Sequence, residues 1–352
     1  MNIEEFPSEV WVFGPNNYEE LGLGHFNDRL IPTLLHDIKA KHVSAGLYHT
    51  VLIDVQDNVF VVGYNGFGQL GLGDLDNRLI QTLIPNIKAQ QVAVGGYHTI
   101  LIDLEDNVWS FGRNEYGQLG LGDNNHRSTP TLIPNIKAKK ITAGVNNTIL
   151  IDLQDNVFVF GKNEYGQLGL GDRNSRSTPT VLQNIKAKQV SAGGYHTVLI
   201  DLDDNIWVFG SNRFGQLGFD DLDLRYIPTV VPNIKAKKIS TGRFYTVVID
   251  LQDNVVFFGA NGYGQLGLGN RESQYIPTMI PNIKARQVST ARYHTILIDL
   301  QDNVWVIGEN GSCQLGLGDR NDRWIPTLLP NIKAKQVSSG SIHTIVIGTY
   351  IQ

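Results

Sequence analysis

Val108-Trp109-Ser110-Phe111-Gly112-Arg113-Asn114-Glu115-Tyr116-Gly117-Gln118-Leu119-Gly120-Leu121-Gly122-Asp123 decides the fold, because the chain repeats this pattern in register. The glycine closing its apolar run recurs at Gly14, Gly63, Gly112, Gly161, Gly210, Gly259 and Gly308, each step 49 residues. Leu-Gly keeps the same step from Leu21-Gly22 to Leu315-Gly316, and Ile-Lys-Ala keeps it from Ile38 to Ile332. No copy has gained or lost a residue, so seven equal units account for nearly all 352 residues. A fixed period of this kind marks a repeat architecture.

Within residues 88–136 the pattern predicts four short strands, near 91–94, 98–102, 108–111 and 130–133. The second and third are apolar runs rich in β-branched and aromatic residues, as expected where both sheet faces are buried. The turn between them, Asp103-Leu104-Glu105-Asp106-Asn107, carries an Asp-Asn pair that recurs along the chain. The Asn is expected to supply the left-handed backbone of a tight hairpin. One such sheet cannot cover both its faces, whereas seven arranged radially cover each other. The chain starts at a third-strand position, Val10 to Phe13, and ends on a first and second strand, Val337-Ser338 and His343 to Ile347. The expected fold is therefore all-β, a closed seven-bladed propeller of four-stranded antiparallel blades. Residues 1–352 form one domain on this reading, with the closing blade built from about 336–350 plus 8–35.

The string Gly112 to Asp123, together with Val190-Ser191-Ala192-Gly193-Gly194-Tyr195-His196-Thr197, resembles the signature of the regulator of chromosome condensation (RCC1-like) repeat. The resemblance runs from about residue 8 to 350 and implies a seven-bladed propeller. For some members it implies guanine-nucleotide exchange on a small GTPase, using loops and an inserted β-hairpin wedge that breaks the repeat length. The seven copies here are equal in length, so no wedge is expected. Members that bind chromatin carry a basic N-terminal tail, whereas this chain opens on Met1-Asn2-Ile3-Glu4-Glu5-Phe6-Pro7. The ubiquitin-ligase relatives set a catalytic domain beside the propeller, for which no residues are left over here.

Each motif has an architectural and a chemical reading. The Gly-rich loop is superficially like a nucleotide fingerprint, but those need a following helix, and no helical period follows. A turn is expected. The histidine of Gly-x-x-His-Thr, His49, His98, His196, His294 and His343, gives way to Asn147 and Tyr245 in two copies. Neither would replace a ligand or catalytic base silently, so these positions are read as structural, like Gly63, Gly112, Gly161, Gly210, Gly259 and Gly308. Trp11, Phe60, Trp109, Phe158, Trp207, Val256 and Trp305 occupy one third-strand position and read as packing between blades. Cys313 stands where most copies have glycine and has no recognisable base beside it. No catalytic group, metal site or cofactor site is expected.

A net charge of −5 argues against a general polyanion binder, so nucleic acid is not expected as a direct ligand. The single cysteine, the lack of a secretory leader pattern and the lack of an apolar span give an expectation of a cytoplasmic or nuclear protein with no membrane association. Fifteen of the 29 cations fall in the Ile-Lys-Ala-Lys end, facing fourteen hairpin acids, and should be largely compensated. The other fourteen lie at the opposite end, thirteen of them arginines. The loops there differ most between copies, and arginines and aromatics make binding hot spots. That end is expected to be the recognition face for a protein partner, centred on Arg213, Arg243, Phe244, Arg292, Tyr293, Arg320 and Arg323. The leading reading is a non-enzymatic protein-binding scaffold. Nucleotide exchange on a small GTPase is the alternative, and chromatin or DNA association the third.

Overall fold

A computed structural model describes residues 9–351. The acidic opening segment, Met1 to Pro7, lies outside the described residues. Among the described residues twenty-one strands follow one another, all antiparallel to their neighbours. Among the described residues no helix is long and apolar enough to cross a membrane.

Three strands, not four, make each 49-residue unit. Arg78–Val94 is one continuous 17-residue strand where the sequence predicts two short ones. Its first half pairs with Asn58–Gly63, matching Phe60 to Leu83 and Val61 to Thr82. Its second half pairs with His98–Asp103, matching Val92 to Leu101 and Val94 to Thr99. Each long strand is thus the outer strand of one blade and the inner strand of the next. Between the halves the chain bends at Asn86, with φ at 60°, and Asn135, Asn184, Asn233, Asn282 and Asn331 repeat the bend. Asn tolerates this conformation well, so the direction changes without a loop.

The hairpin between second and third strands also differs from expectation. Its left-handed residue is Asp106 (φ 67°), not Asn107. Asn107 instead fastens the turn: its backbone N–H donates to Asp103 Oδ1 and its amide to Oδ2, both at 2.9 Å. The indole N–H of Trp109 donates to the same Oδ2 at 2.9 Å. The chain therefore needs Asn for its donors at this position rather than for its backbone.

Closure joins the two chain ends. Glu9–Gly14 pairs with Thr344–Tyr350, with Val10 opposite Ile347 and Val12 opposite Ile345. On its other side it pairs with the first half of Arg29–Ala45, with Val10 opposite Leu35. A terminal strand seated between two others leaves the ring without an open edge at the junction.

Seven hydrophobic clusters fill the spaces between blades. In one of them Val51, Ile53, Val59 and Val61 of one sheet meet Val92, Leu101 and Phe111 of the next. Burying each such side chain is worth roughly 1.5–3 kcal/mol, so blade-to-blade contact is the main source of stability. Trp11, Phe60, Trp109, Phe158, Trp207, Val256 and Trp305 pack against seven different clusters, as the repeat pattern implies.

Candidate functional site

The Gly-rich loops are closed on themselves. Asn114, fully buried, accepts from the Leu119 N–H at 2.9 Å and donates to the Asp123 carbonyl at 2.9 Å. The Gln118 amide oxygen accepts the Tyr116 N–H at 2.9 Å. Gly112 opens the loop at φ +104°, where a Cβ would lie 2.5 Å from the Tyr97 carbonyl oxygen. Most backbone donors of the loop are spent within it, although the Gln118 amide nitrogen is buried without a partner among the described residues, and the turn reading of this motif fits the geometry.

The buried histidines form a belt between blades. Thr99 donates its hydroxyl to the Gln69 carbonyl at 2.9 Å, so its oxygen is free to accept from His49 Nε2–H at 3.1 Å. His98 reaches Thr148 at 3.0 Å, His196 reaches Thr246 at 2.9 Å, and His294 reaches Thr344 at 3.2 Å. His343 closes the circle on Thr50 at 3.1 Å. Tyr245 keeps its step through a 3.0 Å contact with Thr295, while the Asn147 amide nitrogen has no partner among the described residues. Burial pushes the imidazoles of His49, His98, His196 and His294 down to about 3 and that of His343 to about 4. These rings are neutral N–H donors, and they hold sheets together.

At the end of the ring where first and second strands turn, the seven turns surround a cavity of about 360 Å³ on the propeller axis. The residue after the turn glycine (Ala291 in one copy) takes five identities in seven copies: Leu47, Gly96, Val145, Gly194, Arg243, Arg292 and Ser341. Around this mouth the aromatics gather in groups. Tyr195 stacks on Phe244 with centroids 5.2 Å apart, and Phe214 lies 4.9 Å from Phe244. The Arg243 guanidinium sits 5.1 Å over Phe244 and donates to the Tyr195 hydroxyl at 3.3 Å. Arg292 lies 4.7 Å over Tyr293, which itself stands 4.3 Å from Tyr263. Across the axis, Tyr18, Tyr48, Tyr64, Phe67 and Tyr97 form a second group, with Arg113 5.1 Å over Phe67.

The sequence-derived residues fall into two sets. Arg243, Phe244, Arg292 and Tyr293 come together at the mouth, with Arg213 exposed on the neighbouring loop. Among the described residues these three arginines make no ion pair, the recorded pairs involving other cations. Arg323 pairs with Asp319 at 2.6 Å, as Arg127 does with Asp123 and Arg176 with Asp172. It occupies a repeated loop-fastening position. Arg320 reaches Asp28 at 3.0 Å and the Gly311 carbonyl at 2.9 Å, tying the last loop to the first. Sequence reasoning passed over the Tyr18–Tyr97 group, although the aromatic before His49, His98 and His196 was a readable signal.

At the opposite end most cations are held by hairpin carboxylates or backbone carbonyls. Lys139 meets Asp155 at 2.6 Å, Arg286 meets Asp302 at 2.7 Å, and Lys41, Lys188 and Lys237 meet Asp57, Asp204 and Asp253. Lys88, Lys137 and Lys186 donate to hairpin carbonyls at 2.8–2.9 Å. Exposed contacts of this kind add little stability. Among the described residues no group of three or more His, Cys, Asp or Glu side chains could hold a metal ion.

A family model described as the regulator of chromosome condensation (RCC1) repeat matches seven segments, 8–53, 56–102, 105–151, 154–200, 203–249, 253–298 and 301–347. A second model of that description matches 40–69, 89–118 and 187–216. Among solved structures, Prp20p from Saccharomyces cerevisiae, described with its binding properties to Gsp1p and histones, is 19% identical with a TM-score of 0.89 over 100% of this chain and 94% of that one. Yeast RCC1 (Prp20) bound to Kap60 gives 19% and 0.88 over 99% and 90%. Human WBSCR16 gives 20% and 0.87 over 98% and 99%. No match was found among curated protein sequences.

Proposed function

Because the chain belongs to the regulator of chromosome condensation (RCC1) repeat family, we propose that it is a protein-binding propeller that docks its partner on the channel-mouth face. One observation carries this reading. Arg213, Arg243 and Arg292, which make no ion pair among the described residues, share one end of the ring with the stacked aromatics, while most cations of the other end are held by hairpin carboxylates or backbone carbonyls. Arg and aromatic side chains on a rigid frame are what hot spots are made of.

Among partner classes, a small GTPase takes precedence over an unspecified scaffold partner. The family resemblance brings exchange activity with it, and a similar yeast propeller is described by its binding to Gsp1p and histones. That description also favours a nuclear over a cytoplasmic setting. Exchange here would have to work through the turns and long loops themselves, since the copies are equal in length and the strands repeat evenly. Release of a fluorescent guanine nucleotide from a panel of small GTPases tests the class. Acceleration by the wild type, lost with Arg243→Ala/Arg292→Ala at unchanged melting temperature, supports exchange on this face. No acceleration of any GTPase removes the exchange reading and leaves the docking reading to partner mapping.

A further inference from the structure

The mouth cavity is asymmetric in charge. Of the seven residues that follow the turn glycine or its counterpart Ala291, the two charged ones are Arg243 and Arg292, from adjacent blades, and among the described residues no carboxylate lines the cavity. Both guanidinium groups are half-buried and held in place: Arg243 by Tyr195 and Phe244, Arg292 by Tyr293. Arg292 Nε is buried without a hydrogen-bond partner among the described residues. Glu309 is the acid that feels Arg292, but it lies outside the cavity lining and makes no ion pair with it. Burial and Asp322 push the Glu309 carboxyl up despite the arginine. The two turns are neighbours, the Arg243 N–H donating to the Ala291 carbonyl at 3.3 Å, so two like charges on one wall repel each other until an anion offsets them.

We infer that the axial cavity takes a carboxylate side chain of an acidic partner segment, inserted along the propeller axis and gripped by Arg243 and Arg292. The inference rests on the docking reading above and deepens it by naming the chemistry received. A planar guanidinium offers paired N–H donors that match a carboxylate's two oxygens. The rest of the wall is uncharged, apolar at Leu47 and Val145, bare at Gly96 and Gly194 and hydroxylated at Thr241 and Thr290, so it admits the stem of a Glu or Asp and offers no competing anion. The cavity volume of about 360 Å³ has room for one or two inserted side chains and not for a folded element. Phosphate shares the anionic chemistry, and the test separates the two.

Fluorescein-labelled hexaglutamate and hexaglutamine peptides, with blocked termini, are titrated against the full chain by fluorescence anisotropy. Hexaglutamate should bind, hexaglutamine should not, and affinity should fall as salt rises. Arg243→Gln/Arg292→Gln should weaken hexaglutamate at least tenfold, while Arg127→Gln, in a paired loop position, should leave it within twofold. Absence of hexaglutamate binding, or equal binding by the Gln pair, overturns the inference. So does a site that takes inorganic phosphate or a phosphoserine peptide and ignores hexaglutamate. If the Gln pair fails to fold, Arg243→Lys/Arg292→Lys replaces it; a loss of at least threefold supports the paired-donor grip and no loss overturns it. A partner captured through another surface while hexaglutamate still binds here would sink the docking reading alone.

Discussion

His343 Nε2 lies 3.1 Å from the Thr50 hydroxyl oxygen, joining the last blade to the first across 293 residues of chain. Thr50 in turn donates to the Glu20 carbonyl at 2.8 Å, so three elements from both ends of the chain meet at one buried hydroxyl. The same relay repeats around the axis, which makes closure a property of the histidine belt as well as of the terminal strand.

The belt has one unmade step, and that gives the first prediction. Asn147 sits where five copies place histidine, and its amide nitrogen has no partner. Asn147→His should reach Thr197 as the other imidazoles reach their threonines. The expected gain is about 1 kcal/mol, read as a higher melting temperature. The reverse change, His98→Ala, removes a buried ring and leaves the Thr148 oxygen without its donor, although that hydroxyl still donates to the Gln118 carbonyl at 2.8 Å, and should cost roughly 2–4 kcal/mol. Equal melting temperatures for wild type and His98→Ala would show that the belt holds nothing together.

Stability should fall on acidification. The five belt histidines and His42 have folded-state values of about 3 to 4, below the ordinary 6.5. A lowered imidazole means the unfolded chain binds more protons below 6.5, so stability drains as the pH falls from about 6.5 toward 3. At pH 5 these six groups take up about six protons on unfolding, less about one that Glu20 releases. Calorimetry in buffers of different ionisation enthalpy should therefore find a net uptake of about five per chain from these groups. Uptake near zero would mean the imidazoles are not buried neutral.

Glu20 runs the other way. It stands where the other six copies have glutamine, and its carboxylate accepts the Tyr18 N–H at 2.7 Å as those glutamines accept theirs. Burial first, then Asp28 and Glu19, push its carboxyl up to about 7 against the pull of two backbone hydrogen bonds. A raised carboxyl binds its proton more tightly when folded, so this contribution is present below about 4.5 and lost as the pH rises through 7. Glu20→Gln should raise stability at pH 8 by on the order of 2 kcal/mol and change little at pH 4. A pH-independent effect would assign the change to packing instead.

Glu19 and Cys313 hold the loop position that is glycine in the other five copies, at φ 69° and 63°. Side chains with a Cβ are disfavoured there, so Glu19→Gly should stabilise by about 1 kcal/mol. Chemical denaturation reads this directly, and a loss of stability would mean that the Glu19 side chain supports its loop. Cys313 is buried, and burial pushes its thiol up, which accords with a substituted turn residue rather than a nucleophile.

The repeat made most of the fold legible. Equal spacing of Gly14 through Gly308 gave the number of blades, and the strand positions at Val10 and Val337 gave the closure. Contacts 50 residues apart were not legible, because nothing in Gly-x-x-His-Thr says that His49 meets Thr99 rather than its own neighbour. The break expected between outer and inner strands is a bend instead, at Pro85-Asn86, which turns the strand without ending it. At the mouth, Arg243 and Arg292 stood out because the other copies lack them, and Arg323 looked equally free until its loop folded it onto Asp319. Divergence between copies picks out Arg243 and Arg292, whereas arginine content alone also picks out Arg323, which its loop holds.

Hydrogen exchange on the complex with a captured partner tests the docking face most directly. Protection should concentrate in the turns at 46–48, 95–97, 242–244 and 291–293, with the hairpins at 54–58, 103–107 and 299–303 unchanged. Protection confined to those hairpins would place the partner on the paired-charge end and contradict the account.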